Sequence, residues 1–418
     1  MSCIVLEGRR RLEGTVEVQT AKNGVLPVLA ATILNNGVTV IENCPRLTDV
    51  EVTVAILREL GCTVAWNKKN LTVDASNIKS NRISCELMHK MRSSVIFLGS
   101  LLSRTGSATI CHPGGCELGA RPIDIHIAAL EQMGAKFSSL DEVIACSAGG
   151  RTGCELVLPK PSVGATENIM LFAAGCRGST RIVNAAREPE IWDLQEYLKV
   201  LGYSVKGAGS PVIEVEGKPR TVSAAVTYRP VPDRIAAATW LCAAAITGGT
   251  VELKNARPDH MGAVLAVLKE SGATVYAQNE TLVCTATKRP SAIKRIKTGP
   301  YPGFPTDAQP LFFALAAVSQ GRTLIEETMF ENRFRHGAEL RKLGAEVFIR
   351  DRFAAVDGVE TLHGGEVYAR DLRGGAALVL AGLAAEGKTT IRDAHYIDRG
   401  YESIETELTD LGAAVYRE

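Results

Sequence analysis

One phrase, a leucine with a glycine four residues on and then a short apolar strand, occurs six times: LRELGCTV, LEQMGAKF, LKVLGYSV, LKESGATV, LRKLGAEV and LTDLGAAV. Its glycines stand at 61, 134, 202, 272, 344 and 412, always 68 to 73 residues apart. Self-similarity at a fixed period means that every unit is the same supersecondary structure, so six units of about seventy residues share one local fold. Each unit reads alike. A strand leads into an alanine-rich helix, and a glycine (37, 106, 178, 249, 321 or 387) closes that helix as its C-cap. A second strand, a loop, a second helix and the leucine-glycine turn follow.

The first helices lie in KNGVLPVLAATILNNG, RSSVIFLGSLLSRTG, SVGATENIMLFAAGCRG, DRIAAATWLCAAAITGG, TDAQPLFFALAAVSQG and LRGGAALVLAGLAAEG. They are apolar nearly all round, which predicts burial. The strands after them, such as VTVIEN and TVELKN, alternate like half-buried sheet. An α/β fold follows in which sheets lie outside and three helices form each core. A chain of 418 residues is too long for one core, so six units divide into two domains of three. The break is expected near 220–232, around the proline-bearing YRPVP, giving one domain over 22–229 and another over 1–21 plus 230–418. Residues 3–20 precede the first unit and are expected to pair with the far domain.

Lys plus Arg (47) nearly balances Asp plus Glu (46), which argues against a nucleic-acid or membrane-surface protein. No segment has the apolar length of a membrane span or a secretory h-region, so a cytoplasmic location is expected. Eleven cysteines, scattered without CxxC spacing, predict reduced thiols rather than disulfides or a zinc site.

The second unit breaks the metre. From the helix-closing glycine to the leucine-glycine turn it takes 28 residues where the others take 23 to 25. The surplus falls on His112–His126, HPGGCELGARPIDIH, where Cys116 sits among glycines with Arg121 five residues on. A cysteine usually just packs; a thiol on a loop beside a cation is also a candidate reactive thiol. An insertion in one copy of a repeat points to function.

Helix starts disfavour cations, by roughly 0.3–1 kcal/mol each, yet Lys22, Arg92, Arg234 and Arg373 stand at or near them. Anion binding explains that placement. Pairing of Arg234 with Asp233 and of Arg373 with Asp371 is the structural alternative, whereas Lys22 has no carboxylate beside it in sequence. Asp307, in FPTDAQP, reads first as an N-cap and second as a proton acceptor. Arg399, in HYIDRGYESI, occupies the place in unit six that the cysteine loop holds in unit two.

Nine phrases together are similar to the UDP-N-acetylglucosamine enolpyruvyl transferases over essentially the whole chain. They are AKN at 21–23, MRSS at 91–94, PGGCELGARPIDIHI at 113–127, KPSVGATENIM at 160–170, NAAREPEI at 184–191, FPTD at 304–307, FENRF at 330–334, DLR at 371–373 and HYIDRGYE at 395–402. The resemblance implies a two-domain inside-out α/β barrel with the active-site cleft between the domains. It implies transfer of the enolpyruvyl group of phosphoenolpyruvate to the 3-hydroxyl of UDP-N-acetylglucosamine, the first committed step of peptidoglycan precursor synthesis, with no metal or organic cofactor. Cys116 would protonate the methylene carbon, form a covalent adduct, and be the target of fosfomycin-type inhibitors. Asp307 would accept the hydroxyl proton. Lys22, Asn23, Arg92, Arg121, Arg373 and Arg399 would bind phosphoenolpyruvate, with Lys22 and Arg399 also catalytic. Asn23, Arg92, Arg121, Pro122, Ile123, Asp124, Ile125, Lys160, Ser162, Val163, Gly164, Asp307 and Met329 would hold the UDP-sugar. The shikimate-pathway enolpyruvyl transferases, which lack such a loop cysteine, and a non-catalytic scaffold are the competing readings.

Overall fold

The structure, a computed structural model, describes residues 2–114, 123–218 and 222–418. The described residues form two units, one of 20–114, 123–218 and 222–231, here called the unit of residues 20–231, and one of 2–19 with 232–418.

The six turn glycines show why the repeat exists. Gly61, Gly134, Gly202, Gly272, Gly344 and Gly412 have φ of 105°, 94°, 85°, 90°, 92° and 93°, the left-handed region that a Cβ disfavours. In each, the glycine N–H donates to the carbonyl three residues back, on Arg58, Glu131, Lys199, Lys269, Arg341 and Thr409 respectively. The same bond closes every second helix: Thr48–Glu59, Asp124–Gln132, Pro189–Val200, Gly262–Glu270, His336–Lys342 and Ile404–Asp410.

The first helices are Lys22–Ala31, Phe97–Thr105, Val163–Ala174, Arg234–Thr247, Gln309–Val318 and Leu372–Ala384. They are buried along almost their whole length, as apolar faces on every side require. A left-handed glycine C-cap forms in only two of them, at Gly106 and at Gly248 rather than Gly249. In the other four units the helix stops a few residues earlier, and the glycine stands at or just before the start of the next strand.

Sheets wrap these helices. The unit of residues 232–418 carries three four-stranded sheets; the other carries two of four strands and one of three. Most share one plan, three antiparallel strands with a fourth added parallel to an outer one, as Glu155–Val157 is to Gly178–Val183. The exception is the sheet of Ser107–Cys111, where the parallel strand shrinks to a bridge between Arg82 and Thr109. Strand Ile4–Glu7 lies between Lys388–Arg392 and Ala414–Arg417, and Glu13–Glu17 pairs with Thr250–Lys254. No helix among the described residues is long and apolar enough to cross a membrane.

The cysteines need one correction. Cys85 and Cys111 form a disulfide, with Cα atoms 5.1 Å apart, because helix Cys85–Lys90 begins beside the end of strand Ser107–Cys111. Spacing along the chain carries no sign of that meeting. No other disulfide forms among the described residues.

The turn glycines make a direct test. At Gly272 a Cβ would meet nothing within 4 Å, so Gly272→Ala adds only left-handed strain. We expect a loss of about 1–2 kcal/mol, read as a Tm about 2–4 °C lower per kcal/mol. Gly262→Ala, equally open but without positive φ, should leave Tm unchanged or slightly raised.

Candidate active site

Each unit gathers a set of the expected residues. In the unit of residues 20–231, Lys22 opens its helix and is buried, with Nζ 2.8 Å from Oδ2 of Asp49. Sequence proximity gave Lys22 no carboxylate; the fold supplies one from helix Thr48–Glu59. Two residues on, Gly24 leaves room for Asp193, since a Cβ there would lie 2.7 Å from its Oδ2. Asp193 accepts from the Tyr228 hydroxyl (2.6 Å) and the Val231 amide (3.2 Å). Burial pushes its carboxyl up to about 7 despite these bonds. The exposed Asn23 therefore stands on a helix start anchored from beneath.

Arg92 begins the 3-10 turn Arg92–Ile96, which runs into helix Phe97–Thr105. Ser162 caps helix Val163–Ala174 by accepting from the Ala165 amide, leaving Ser162, Val163 and Gly164 half-buried at its first turn. Lys160 is exposed just before them. Asp124 begins the next helix exposed, after the buried Ile123 and beside the half-buried Ile125. Free helix amides and nearby cations suit an anionic ligand. Cys116, Arg121 and Pro122 lie outside the described residues.

In the other unit the centre is Asp307, and here an expectation fails. Helix Gln309–Val318 begins after Asp307, with Ala308 at the cap position and no side-chain cap bond. The Asp307 carboxylate instead accepts from Nη2 of Arg333 at 2.9 Å, and Nε of Arg373 lies 3.7 Å from its other oxygen. Arg333 is only 2% exposed. It also donates to the Thr306 carbonyl (3.2 and 3.1 Å) and lies 3.7 Å from Asp371. Glu327 completes the clamp. It accepts from the Thr306 and Thr298 hydroxyls, each at 3.0 Å, and from the Met329 and Phe330 amides. The Asp307 loop and the exposed Met329 are thus held by one carboxylate.

Asp233 accepts from the Ile235 and Ala236 amides, and Asp371 from the Arg373 and Gly374 amides, so the side chains of both cap their helices. The Arg373 guanidinium turns to the Tyr401 hydroxyl at 3.3 Å. Burial works against its charge, and Tyr401, Asp307 and Asp233 together outweigh that. Arg399 ends a 3-10 turn, Ala394–Arg399, rather than standing in open loop.

Sequence reading missed Arg333, Asp49, Glu327 and His336. Arg333 lay inside FENRF and carried no separate signal; Asp49 and Glu327 become visible only when distant segments meet. What the arrangement offers is a fixed carboxylate, Asp307, whose side chain is 30% exposed and can accept from an incoming hydroxyl, beside guanidiniums that suit phosphate or carboxylate.

The family model for EPSP synthase (3-phosphoshikimate 1-carboxyvinyltransferase) matches residues 6–408. The chain is 45% identical over 412 residues to UDP-N-acetylglucosamine 1-carboxyvinyltransferase 2 of Caldanaerobacter subterraneus subsp. tengcongensis, covering 99% of this chain and 98% of the relative. It is 42% identical over 418 residues to UDP-N-acetylglucosamine 1-carboxyvinyltransferase of Trichlorobacter lovleyi, covering 100% and 99%. Among solved structures, the enolpyruvyl transferase NikO from Streptomyces tendae superposes with a TM-score of 0.90 at 25% identity, covering 100% of this chain and 98% of that one.

His336, fully buried edge-on to Phe313, makes no well-formed hydrogen bond at either ring nitrogen among the described residues, though the Arg333 backbone lies close enough to favour its proton. Burial pushes its imidazole below the usual 6.5, with Asp371 opposing and Arg333 assisting. The unfolded chain then binds a proton that the native ring refuses, so stability present above pH 6.5 is lost as pH falls. His336→Leu, close in volume and breaking no well-formed hydrogen bond, should stay within about 1.5 kcal/mol of wild type at pH 7.5. Between pH 7.5 and 5 it should lose about 1–2 kcal/mol less than wild type in urea unfolding.

Proposed function

The chain belongs to the UDP-N-acetylglucosamine 1-carboxyvinyltransferase family, and we propose that it transfers the enolpyruvyl group of phosphoenolpyruvate to the 3-hydroxyl of UDP-N-acetylglucosamine, releasing phosphate. The observation that carries this reading is full-length identity of 42–45% to relatives of that name. The step commits the sugar nucleotide to peptidoglycan synthesis, and the expected place of work is the cytoplasm.

Asp307 accepts the hydroxyl proton as the sugar oxygen bonds C2 of phosphoenolpyruvate, while Cys116 delivers a proton to C3. Loss of a C3 proton and cleavage of the C2–O bond to phosphate then give the enolpyruvyl ether. Lys22, Arg121 and Arg399 neutralise the phosphate and carboxylate, and Arg92 and Arg373 complete the cationic set. Arg333 is paired with Asp307 at 2.9 Å, which supports a base whose orientation is set before substrate arrives. Asn23, the run Arg121 to Ile125, Lys160, Ser162, Val163, Gly164 and Met329 hold the sugar nucleotide. That Ser162 caps its helix and leaves the first-turn amides half-buried supports a phosphate there.

Phosphate release decides between this reading and its relatives. Turnover is expected with UDP-N-acetylglucosamine and not with shikimate 3-phosphate; the reverse would reassign the acceptor. Asp307→Asn should keep its fold by circular dichroism and lose about 10²–10⁴ in kcat, as removal of a general base does.

The thiols make a second test. Burial pushes Cys62, Cys146, Cys176 and Cys284 up to about 12, which leaves them unreactive near neutrality. An epoxide phosphonate of the fosfomycin type should therefore alkylate Cys116, faster with UDP-sugar bound. Peptide mapping that finds the adduct on another cysteine would remove Cys116 from the mechanism.

A further inference from the structure

Asn168 lies fully buried on helix Val163–Ala174 and bonds three other segments through one amide. Its Oδ1 accepts from the Gly99 amide at 2.6 Å, on helix Phe97–Thr105. Its Nδ2 faces the Val95 carbonyl at 3.1 Å, in the Arg92 turn, and Nδ1 of His126 at 2.9 Å, on helix Asp124–Gln132. The contact is close on the backbone side as well, since a Cβ on Gly99 would lie 2.3 Å from the Asn168 carbonyl.

These partners leave no freedom in who donates. A backbone N–H can only donate and a carbonyl can only accept, so the amide has one orientation. Nδ2 donates to His126, and Nδ1 of that ring must be the acceptor. A neutral imidazole carries one proton, which therefore sits on Nε2. The Cε1–Nε2 edge in turn lies on the first turn of helix Val163–Ala174. A Cβ on Gly164 would be 2.9 Å from Cε1 and 3.4 Å from Nε2. His126 is 8% exposed, and among the described residues its ring bonds Asn168 alone.

We propose that Asn168 is a positioning residue of the sugar-nucleotide half of the site, holding His126 as a neutral ring whose Nε2–H is directed past Gly164 to an acceptor oxygen of the ligand. This rests on the reading of Ser162–Gly164 as part of the UDP-sugar site. The device supplies a donor without a charge. The charged groups acting on the ring are Arg92 and Asp124; burial and Arg92 push it down to about 4, with Asp124 opposing. A second full charge beside Arg92 is thereby avoided where a cation is already in place. Asn168 also fixes the Arg92 turn against the Ser162 helix, so one amide sets the spacing of both.

Nitrogen-15 shifts of the histidine rings in the full-length protein test the tautomer without any variant or substrate. Nε2–H on His126 from pH 8 down to 5.5 is expected; a proton on Nδ1, or a ring titrating near 6.5, overturns the proposal. Asn168→Asp keeps the acceptor for Gly99 but replaces the donor to His126 by a carboxylate, drawing the ring proton to Nδ1. Its Kd for UDP-N-acetylglucosamine in calorimetry should rise about tenfold, the size of one lost hydrogen bond. Its KM for phosphoenolpyruvate should rise by less than that Kd, because the substitution also takes the donor from the Val95 carbonyl in the Arg92 turn. A variant that binds the sugar nucleotide as wild type does also overturns the proposal. Wild-type protein that shows the Nε2–H ring yet does not bind UDP-N-acetylglucosamine overturns the ligand role and the functional reading, while leaving the Asn168–His126 geometry supported.

Discussion

A guanidinium or ammonium withdrawn from water must meet a carboxylate or a dense set of acceptors, because an unpaired buried charge costs several kcal/mol. That requirement organises the candidate residues of each unit. Lys22 meets Asp49, and Arg333 meets Asp307 with Asp371 at longer range. Helix caps add to the economy of the arrangement. Asp371 answers two helix amides and a guanidinium together, so the start of helix Leu372–Ala384 and the orientation of Arg333 depend on one side chain. The same logic explains how cations can stand at the positive ends of helices. Their charge is balanced locally, and an anionic ligand finds a surface already arranged for it.

Much of this was legible in the chain. The leucine-glycine turns are encoded within five consecutive residues, and a left-handed glycine closing a helix is a local demand, so all six were readable. Burial of the first helices followed equally from their apolar composition. What composition could not give was distance. The Lys22–Asp49 pair, the Arg333–Asp307 pair and the Cys85–Cys111 disulfide join residues 26 or 27 apart that approach only through the tertiary fold. Asp307 illustrates the cost of local reasoning. An aspartate just before a helix is a strong cap signal, but Arg333 offered a better partner and the cap position moved to Ala308.

The repeat also clarifies why function concentrates unevenly. Six similar units have six equivalent loops, yet the second departs from the pattern in two ways. It carries the lengthened cysteine segment, and its sheet has lost most of its parallel strand, retaining a bridge between Arg82 and Thr109. The sheet that carries least regular structure thus belongs to the unit with the longest insertion. A scaffold of near-identical parts allows one part to be altered while the other five preserve the cores.

Strand Ile4–Glu7 has its hydrogen-bonding partners at Lys388–Arg392 and Ala414–Arg417. During synthesis those partners do not yet exist when the strand leaves the ribosome. At about 5–20 residues per second the wait is on the order of 20 to 80 seconds, with 415 residues separating Cys3 from Glu418, which bond each other. The unit of residues 20–231 is complete long before then and can fold on the ribosome. The other must keep an apolar strand unpaired until Lys388–Arg392 and Ala414–Arg417 emerge, so the order in which the two cores close is written into the topology.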